Sequence, residues 1–506
     1  MDKPLTVLRH IRNYATGGLI SAIIGVVSFP ILTRSLSVED YGVLGLVLST
    51  LTLFVAVGKF GIQHSIIRFY AEVKNNNSEF TKNQFYTTTL MLGLLLGVVA
   101  MIFCLVVGYS FAPIVAGSET ISIYFLIGTL YIFFRMLSSN MCNVLSAQLK
   151  SGVVMVSVVV RRFTYLAVIL IYAFTNLLSV AMVVGAFVIA ELISLVYVAR
   201  HYLPGKSHIL KGVSSKLASV LLWYGVPLMM LESLGLMMRL SDRYIIQYLL
   251  DDNALGQYAA SYNLVGYIEI MITVAIISAV KPIYTEIWES KGKQPTQEFL
   301  ADGLHIYLML GIPFVVLVSL TAPHVINILA SSKYEAGTVV IPWVTLAILF
   351  EGALLFLAAG IYLRKETKKL VFWSFIAVII NIVLNFLFIP KYGIVGASVV
   401  TVITFAFYVL GIKWSAFKLL DFNIDLRNPI LITLASIVVY FAVKWLPIEF
   451  DLLAILVKGS IAGIILTLTT YMLDGKVRLA VNEQMVRIAG RLGDPWGIRL
   501  AGFFDK

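Results

Sequence analysis

The sequence predicts an all-α integral membrane protein with fourteen transmembrane helices, arranged as two parallel-repeat six-helix lobes plus two C-terminal helices. The composition is the first reason: of the 506 residues, 59% are hydrophobic and only 13% are charged, about half the charged fraction of a soluble protein. The second reason is that apolar runs of about 20 residues, long enough to cross a bilayer, recur along the whole chain. The loops between these runs are too short to hide a large soluble catalytic domain.

The predicted spans follow one another with short connections. The first follows Lys3, Arg9 and Arg12 and is too long for a signal-peptide core, so we expect it to be retained. The fifth is interrupted by Arg161 and Arg162, and it crosses only if these arginines lie within the membrane or if the span extends further along the chain. The predicted spans are 14–32, 41–62, 85–109, 120–145, 153–174, 178–199, 221–240, 258–280, 304–321, 339–363, 370–389, 393–412, 429–445 and 452–472.

The basic residues set the predicted orientation. Cytoplasmic loops retain Lys and Arg, and most of the 38 such residues fall in the termini and in alternate loops. Both termini are therefore predicted to face the cytoplasm. The net charge of +11 is a topology signal, with anionic lipid headgroups rather than nucleic acid as the expected partner.

An internal repeat is the third reason for the predicted fold. Tyr41-Gly42 resembles Leu255-Gly256, and Gly185-Ala186 resembles Gly396-Ala397, at offsets of 214 and 211 residues. Because such an offset covers six spans, the two copies have the same orientation, as in transporters built from parallel repeats. The predicted division is an N-lobe (1–200), a basic linker (201–216), a C-lobe (217–413), two further helices (429–472) and a cytoplasmic amphipathic tail (473–506).

Several motifs resemble those of a known transporter family. They are Phe29-Pro-Ile-Leu-Thr-Arg-Ser-Leu-Ser-Val-Glu-Asp-Tyr-Gly42, Gly58-Lys-Phe-Gly61 with Arg68, Ser241-Asp-Arg-Tyr-Ile-Ile246, Leu255-Gly-Gln-Tyr-Ala259, Asn381, Asn385 and Pro390-Lys-Tyr-Gly393-Ile-Val-Gly396-Ala397. Together they resemble the polysaccharide and O-antigen flippases of the multidrug/oligosaccharidyl-lipid/polysaccharide exporter superfamily. The resemblance implies alternating access in the bacterial cytoplasmic (inner) membrane, with undecaprenyl-diphosphate-linked oligosaccharide as substrate and a central cationic cavity. Membrane lipids and other polysaccharide-assembly membrane proteins are the expected partners.

Basic residues inside the spans are the candidate substrate ligands. Charges in hydrocarbon are costly and usually face a cavity or a partner, and arginine suits phosphate through its planar fork. The alternative is that these residues snorkel to the interface or pair with a glutamate on a neighbouring helix. The candidates are Lys59, Arg135, Arg161, Arg162 and Arg239, with Arg34 and Arg243 expected at the outer rim.

Acidic residues are the candidates for ion coupling or gating. Glu232 and Arg239 are seven residues apart and share a helix face, on a span that also contains Pro227. Glu191, Glu269 and Glu351 lie in other spans, and any of these acids could be protonated or bind a cation in one state, although structural pairing explains them equally well. Glu39 and Asp40, with Arg34, are predicted to face Asp242, Arg243, Asp251 and Asp252 across the rim and to latch one state.

Three other functional classes remain as alternatives. The first is export of small molecules, as in the multidrug branch, which an acidic cavity would favour. The second is a membrane enzyme of polysaccharide synthesis, which usually needs a longer outer loop, and the third is a scaffold. Cys104 and Cys142 both lie in apolar runs and form no metal motif, so we expect no cofactor, with H+ and Na+ both open as the coupling ion.

Overall fold

The computed structural model describes residues 3–116, 120–202, 212–479 and 481–482. Within these ranges it describes the backbone alone for residues 3–9, 11, 109, 111–116, 120–121 and 270–279. Every regular element in this part of the chain is helical. The helices are α1 (Lys3–Ser35), α2 (Val38–Gly58), α3 (Ile62–Lys74), α4 (Lys82–Ala116), α5 (Thr120–Ala147), α6 (Ser151–Phe174), α7 (Val180–Tyr202), α8 (Ser215–Leu249), α9 (Asp252–Lys291), α10 (Lys293–Leu329), a 3-10 helix (Ser332–Val340), α11 (Ile341–Leu357), α12 (Ala359–Leu363), α13 (Lys368–Phe417), α14 (Arg427–Lys444) and α15 (Asp451–Leu473).

The predicted all-helical membrane fold is confirmed. Within the described residues, twelve segments are long and apolar enough to cross a membrane. One of them is α6, which runs without a break through Arg161 and Arg162. Fourteen spans and cytoplasmic termini stay predictions.

Helix α13 covers two predicted spans. A straight helix of its 50 residues would be about 75 Å long at 1.5 Å per residue, more than twice the thickness of the hydrocarbon core. The helix is interrupted at Gly393, which has φ 56° and ψ −141°. Glycine adopts this conformation far more easily than residues with a side chain. This glycine therefore separates the predicted spans 370–389 and 393–412.

The starts of α2 and α9 are built alike. Ser37 Oγ accepts the N–H of Asp40 at 3.0 Å before α2, and Asp251 Oδ1 accepts the N–H of Ala254 at 2.7 Å before α9. Both side chains cap a helix N-terminus, and both pairs differ by the offset of 214 residues seen in the sequence. The two caps therefore agree with the predicted repeat at this point of the fold.

The two equivalent helix starts also touch one another. A side chain at Gly42 would overlap the backbone of Asp252 and Gly256, and one at Gly256 would overlap the carbonyl of Val38. Gly42 thus meets Asp252, four residues before Gly256, and Gly256 meets Val38, four residues before Gly42. This reciprocal arrangement is expected of a contact around a two-fold axis. Small residues allow such close backbone approach between membrane helices.

A second backbone contact lies where α2 gives way to α3. Phe60 and Gly61 have positive φ values of 48° and 70°, which end the first helix and redirect the chain. A side chain at Gly61 would overlap the carbonyl oxygen of Gly225 in α8, and a side chain at Gly225 would overlap that of Phe60. Helices α2 and α3 therefore approach α8 at the level of Lys59, the C-cap of α2.

The chain divides into two compact units. The first comprises Met1–Ala279, Leu329–Val340 and Thr367–Tyr408. In it α4 packs on α5, α7 packs on both α5 and α6, and α1 packs on α6. A core that includes Ile66, Phe85 and Leu145 joins α3, α4 and α5. The predicted six-helix lobes remain a prediction.

The second unit comprises Val280–Ile328, Ile341–Glu366 and Val409–Lys506. Two histidines of α10 contact the two ends of α15. His324 Nδ1 lies 2.7 Å from Asp451 at the start of α15, and His305 Nε2 lies 2.5 Å from Asp474 after the end of α15. Burial alone would raise the pKa of Asp474, but hydrogen bonds from Val477 N–H, Asn428 and His305 hold it below its usual value.

Two predicted segments lie mainly outside the described residues. The linker 201–216 includes 203–211, and the amphipathic tail 473–506 includes 483–506. Of the apolar positions expected on the tail helix, Val477 is buried and packs near Met309 and Ile432.

Candidate functional site

A buried carboxylate stands at the centre of the candidate site. Glu191 in α7 is fully buried, and its Oε1 lies 3.5 Å from Arg135 of α5 and 3.6 Å from Arg161 of α6. The same oxygen accepts a hydrogen bond from Ser138. The structure therefore brings three of the predicted residues together, and it does so by the glutamate pairing that the sequence left as an alternative.

Two further cations lie beside this group. Lys59 interacts electrostatically with Arg135, Arg161 and Glu191. Arg162 interacts with Tyr131, Tyr165 and Tyr267, and its Nε is buried without a hydrogen-bond partner among the described residues. We call Lys59, Arg135, Arg161 and Arg162 the cationic cluster.

Glu232 approaches the cationic cluster from α8. Its Oε2 accepts a hydrogen bond from Gln63 Nε2 at 2.6 Å and lies 3.6 Å from His64 Nε2, while Lys59 is an electrostatic partner. The sequence prediction missed Gln63 and His64 because they are not charged residues inside a hydropathy peak. With Glu191 and Glu232 counted, the cluster carries two excess positive charges.

Arg239 has a carboxylate partner of its own. Its two terminal nitrogens lie 3.1 and 2.8 Å from the two oxygens of Glu269 in α9, a bidentate pair. Although Glu232 and Arg239 are both in α8, they contact different helices. Glu269 is thus paired with Arg239, and its predicted role in ion coupling stays a prediction.

Asp242 and Arg243 are packed among neighbouring helices. Both are buried, with 0% and 6% exposure, because α8 continues to Leu249 instead of ending at the predicted position 240. Asp242 accepts a hydrogen bond from Tyr258, and Arg243 donates to Ser49 of α2 at 2.7 Å. These partners are not residues of the predicted rim, whereas Asp252 lies against Gly42 near the start of α2, so the rim gate stays a prediction.

Other residues make a polar contact between the starts of α2 and α9. Asn253 donates a hydrogen bond to Glu39 at 2.7 Å, at equivalent positions of the two repeats. Arg34 and Asp40 are exposed at the same helix ends. Glu351 lies in α11, in the second unit, and is partly exposed.

The asparagines of α13 form a buried network. Asn381 accepts a hydrogen bond from Ser241 at 2.7 Å and donates to Thr404 at 3.1 Å. Asn385 donates to Asn381 at 3.0 Å. Through these hydrogen bonds the two asparagines link α8 to α13. Among the described side chains, no group of His, Cys, Asp or Glu has a metal-binding arrangement.

Comparisons with known proteins agree with this architecture. The family model described as polysaccharide biosynthesis protein matches residues 7–288, and a second model, MatE, matches residues 227–387. An uncharacterized membrane protein of Methanocaldococcus jannaschii, MJ1068, is 24% identical over 431 residues, which cover 79% of this chain and 81% of the relative.

Solved structures show the same fold. The lipid II flippase MurJ in an inward closed conformation matches with a TM-score of 0.73 and 16% identity, over 90% of this chain and 98% of MurJ. An inward-facing multidrug resistance MATE transporter of the MOP superfamily matches with a TM-score of 0.68 and 12% identity, over 83% of this chain and 98% of its own. The protein is thus a multi-pass membrane protein with the fold of MOP-superfamily transporters.

The family match extends over more than half of the chain. The chain belongs to the polysaccharide biosynthesis protein family, which confirms the resemblance found in its motifs.

Proposed function

We propose that this protein is a flippase that moves undecaprenyl-diphosphate-linked oligosaccharide, such as an O-antigen or capsule repeat unit, from the inner to the outer leaflet by alternating access. The observation that carries the proposal is the cationic cluster, in which four basic side chains face two carboxylates among the described residues. Excess positive charge inside a membrane helix bundle is costly, and a diphosphate would neutralise it.

Two comparisons support the substrate class. The family is one of polysaccharide biosynthesis, and MurJ, which shares the fold, is named for a lipid-linked substrate. The excess positive charge disfavours cationic drugs, the alternative that the MatE match brings forward. We place the protein in the bacterial cytoplasmic membrane, where such lipids are assembled.

Replacement of Arg162 tests the proposal most directly. Its Nε has no hydrogen-bond partner among the described residues, so Arg162→Ala breaks fewer contacts than removal of Arg135 or Arg161. A hydrogen bond between charged groups is worth about 1.5–3 kcal/mol, so we expect transport to fall by about 10-fold or more. The measurement is transfer of lipid-linked oligosaccharide between leaflets of proteoliposomes that contain the purified protein.

Two further variants serve as controls. Arg162→Lys should retain part of the transport, because the charge remains while the planar fork is lost. Arg68→Ala removes an exposed arginine that pairs with Glu72 on the same helix and should transport normally. Normal transport by Arg162→Ala in a correctly inserted protein would contradict a role for Arg162 in phosphate binding.

We also propose that an ion gradient drives transport and that Glu232 couples to it. Glu232 is partly exposed and lies between His64 and Gln63, so it can exchange a proton or a cation without leaving the site. We expect Glu232→Gln to abolish the dependence of transport on an imposed H+ or Na+ gradient, measured in the same proteoliposomes. If the variant responds to both gradients like the wild type, coupling lies at another residue.

A further inference from the structure

A polar pocket opens beside the cationic cluster, within the first unit. Its cavity volume is about 20 Å³, which is room for about one water molecule or one hydroxyl group. Helices α2, α3, α4 and α5 supply its walls. The lining residues are Lys59, Ile62, Gln63, Gly93, Leu96, Met136, Ser139, Asn140 and Asn143.

Most of the polar lining comes from one face of α5. Met136, Ser139, Asn140 and Asn143 are separated by three and four residues and therefore share a face, next to the face that carries Arg135. Gly93 of α4 makes room for this wall, because a side chain there would overlap the amide nitrogen of Asn140. We call this space the amide pocket.

Asn140 and Gln63 each use the amide nitrogen in a hydrogen bond, so each has only its amide oxygen left as an acceptor. Asn140 is 8% exposed, and its Nδ2 donates to the carbonyl of Thr89 at 2.5 Å. Gln63 Nε2 donates to Glu232 at 2.6 Å. Because these donors are engaged, the orientation of each amide is fixed. Asn140 Oδ1 and Gln63 Oε1 are both buried without a partner among the described residues.

Unsatisfied buried acceptors define the chemistry of an occupant. Each costs about 1–3 kcal/mol unless a donor reaches it, so an aliphatic lipid chain is a poor ligand. An ammonium group is disfavoured by Lys59 in the same wall. A neutral hydroxyl satisfies both conditions, and its own oxygen can accept a hydrogen bond from Lys59.

We propose that the amide pocket binds one hydroxyl group of the first sugar of the lipid-linked substrate, next to the diphosphate held by the cationic cluster. This inference rests on the proposed function and adds a subsite to it. A volume of about 20 Å³ admits one hydroxyl group at the edge of a sugar ring. Lys59 belongs to both places, which makes the diphosphate and the adjacent sugar neighbours, as they are in the substrate.

The test compares two lipids on the purified full-length protein in nanodiscs. One is undecaprenyl diphosphate, and the other is the same lipid with a single hexose attached. Two hydrogen bonds of about 0.5–1.5 kcal/mol each predict that the wild type binds the hexosyl lipid about 10-fold more tightly. Asn140→Leu should reduce this preference to less than about twofold and leave the affinity for undecaprenyl diphosphate within about twofold of the wild type.

Two more variants make the comparison decisive. Asn143→Leu changes the same wall without removing the bond to Thr89, so it tests the pocket if Asn140→Leu does not fold. Asn77→Leu makes the same chemical change at an exposed loop position and should retain the full preference.

The outcomes separate this inference from the proposed function. If the wild type binds both lipids equally, the amide pocket holds water alone and the inference fails, while the flippase proposal stands. If the wild type binds neither lipid, the proposed function fails and the inference fails with it. If it prefers the hexosyl lipid and both leucine variants keep that preference, the sugar binds elsewhere.

Discussion

Glu191→Gln is expected to lower the free energy of unfolding by about 3 kcal/mol, because removal of one member of a buried ion pair leaves an uncompensated charge. Glu191 is fully buried and is the shared partner of Arg135 and Arg161. Glutamine keeps the shape and the hydrogen bond from Ser138 but not the charge. Titration with SDS in mixed micelles measures the change.

A surface pair provides the matched control for this loss of charge. Glu72→Gln removes a carboxylate that pairs with Arg68 at 3.3 Å on the same helix, where both side chains are exposed to solvent. Such pairs are worth about 0.5 kcal/mol or less. Equal effects of the two variants would mean that the arginines are already compensated elsewhere.

A second substitution tests whether the lost stability comes from the unpaired positive charge. Arg161→Gln in the Glu191→Gln background removes one of the two unpaired cations and should restore part of the lost stability. A double-mutant cycle then gives the coupling energy between Glu191 and Arg161. If the two effects simply add, the 3.6 Å approach contributes nothing to stability.

Gly256→Ala is expected to destabilise the protein by about 3 kcal/mol, at the upper end of ordinary overpacking. The added methyl group would overlap the carbonyl of Val38, and backbone atoms cannot rotate aside as a side chain can. Gly225→Ala should have a comparable effect through the carbonyl of Phe60. Both losses are measured by the same SDS titration.

Each helix supplies its own control glycine. Gly235 in α8 and Gly266 in α9 have nothing within 4 Å of an added methyl group among the described residues. Alanine is favoured over glycine in a helix by about 1 kcal/mol, so Gly235→Ala and Gly266→Ala should be neutral or stabilising. Loss of stability in the controls equal to that in Gly256→Ala would show that helix flexibility, not close contact, is what the glycines provide.

The sequence predicted the helices better than their ends. Hydropathy identifies an apolar run, but it cannot show that α8 continues to Leu249, because its last two turns contain Asp242 and Arg243. Charged residues at these positions predict the end of a membrane span. Only the packing of α8 against α2 and α9 shows that Asp242 and Arg243 are buried. For the same reason Arg161 and Arg162 made the fifth span ambiguous.

The composition of the site was predictable, but its pairing was not. Charged residues inside apolar runs identified Lys59, Arg135 and Glu191 directly. Which of them pair depends on contacts between residues far apart in the chain, such as Gln63 with Glu232. The amide pocket gave no signal because Asn140 and Asn143 are uncharged polar residues, which membrane helices commonly use for packing. The repeat, in contrast, was visible in the sequence because Tyr41-Gly42 and Gly185-Ala186 have counterparts at offsets of 214 and 211 residues.

The glycine contacts also bear on how the protein responds to its surroundings. They join α2 to α9, and α2 and α3 to α8, through peptide groups, which neither gain nor lose protons and attract few counterions. Acid, alkali or salt should therefore leave these contacts intact. A response of transport to proton concentration or ionic strength is then to be sought in the side chains beside them, with Glu232 and His64 as the first residues to examine.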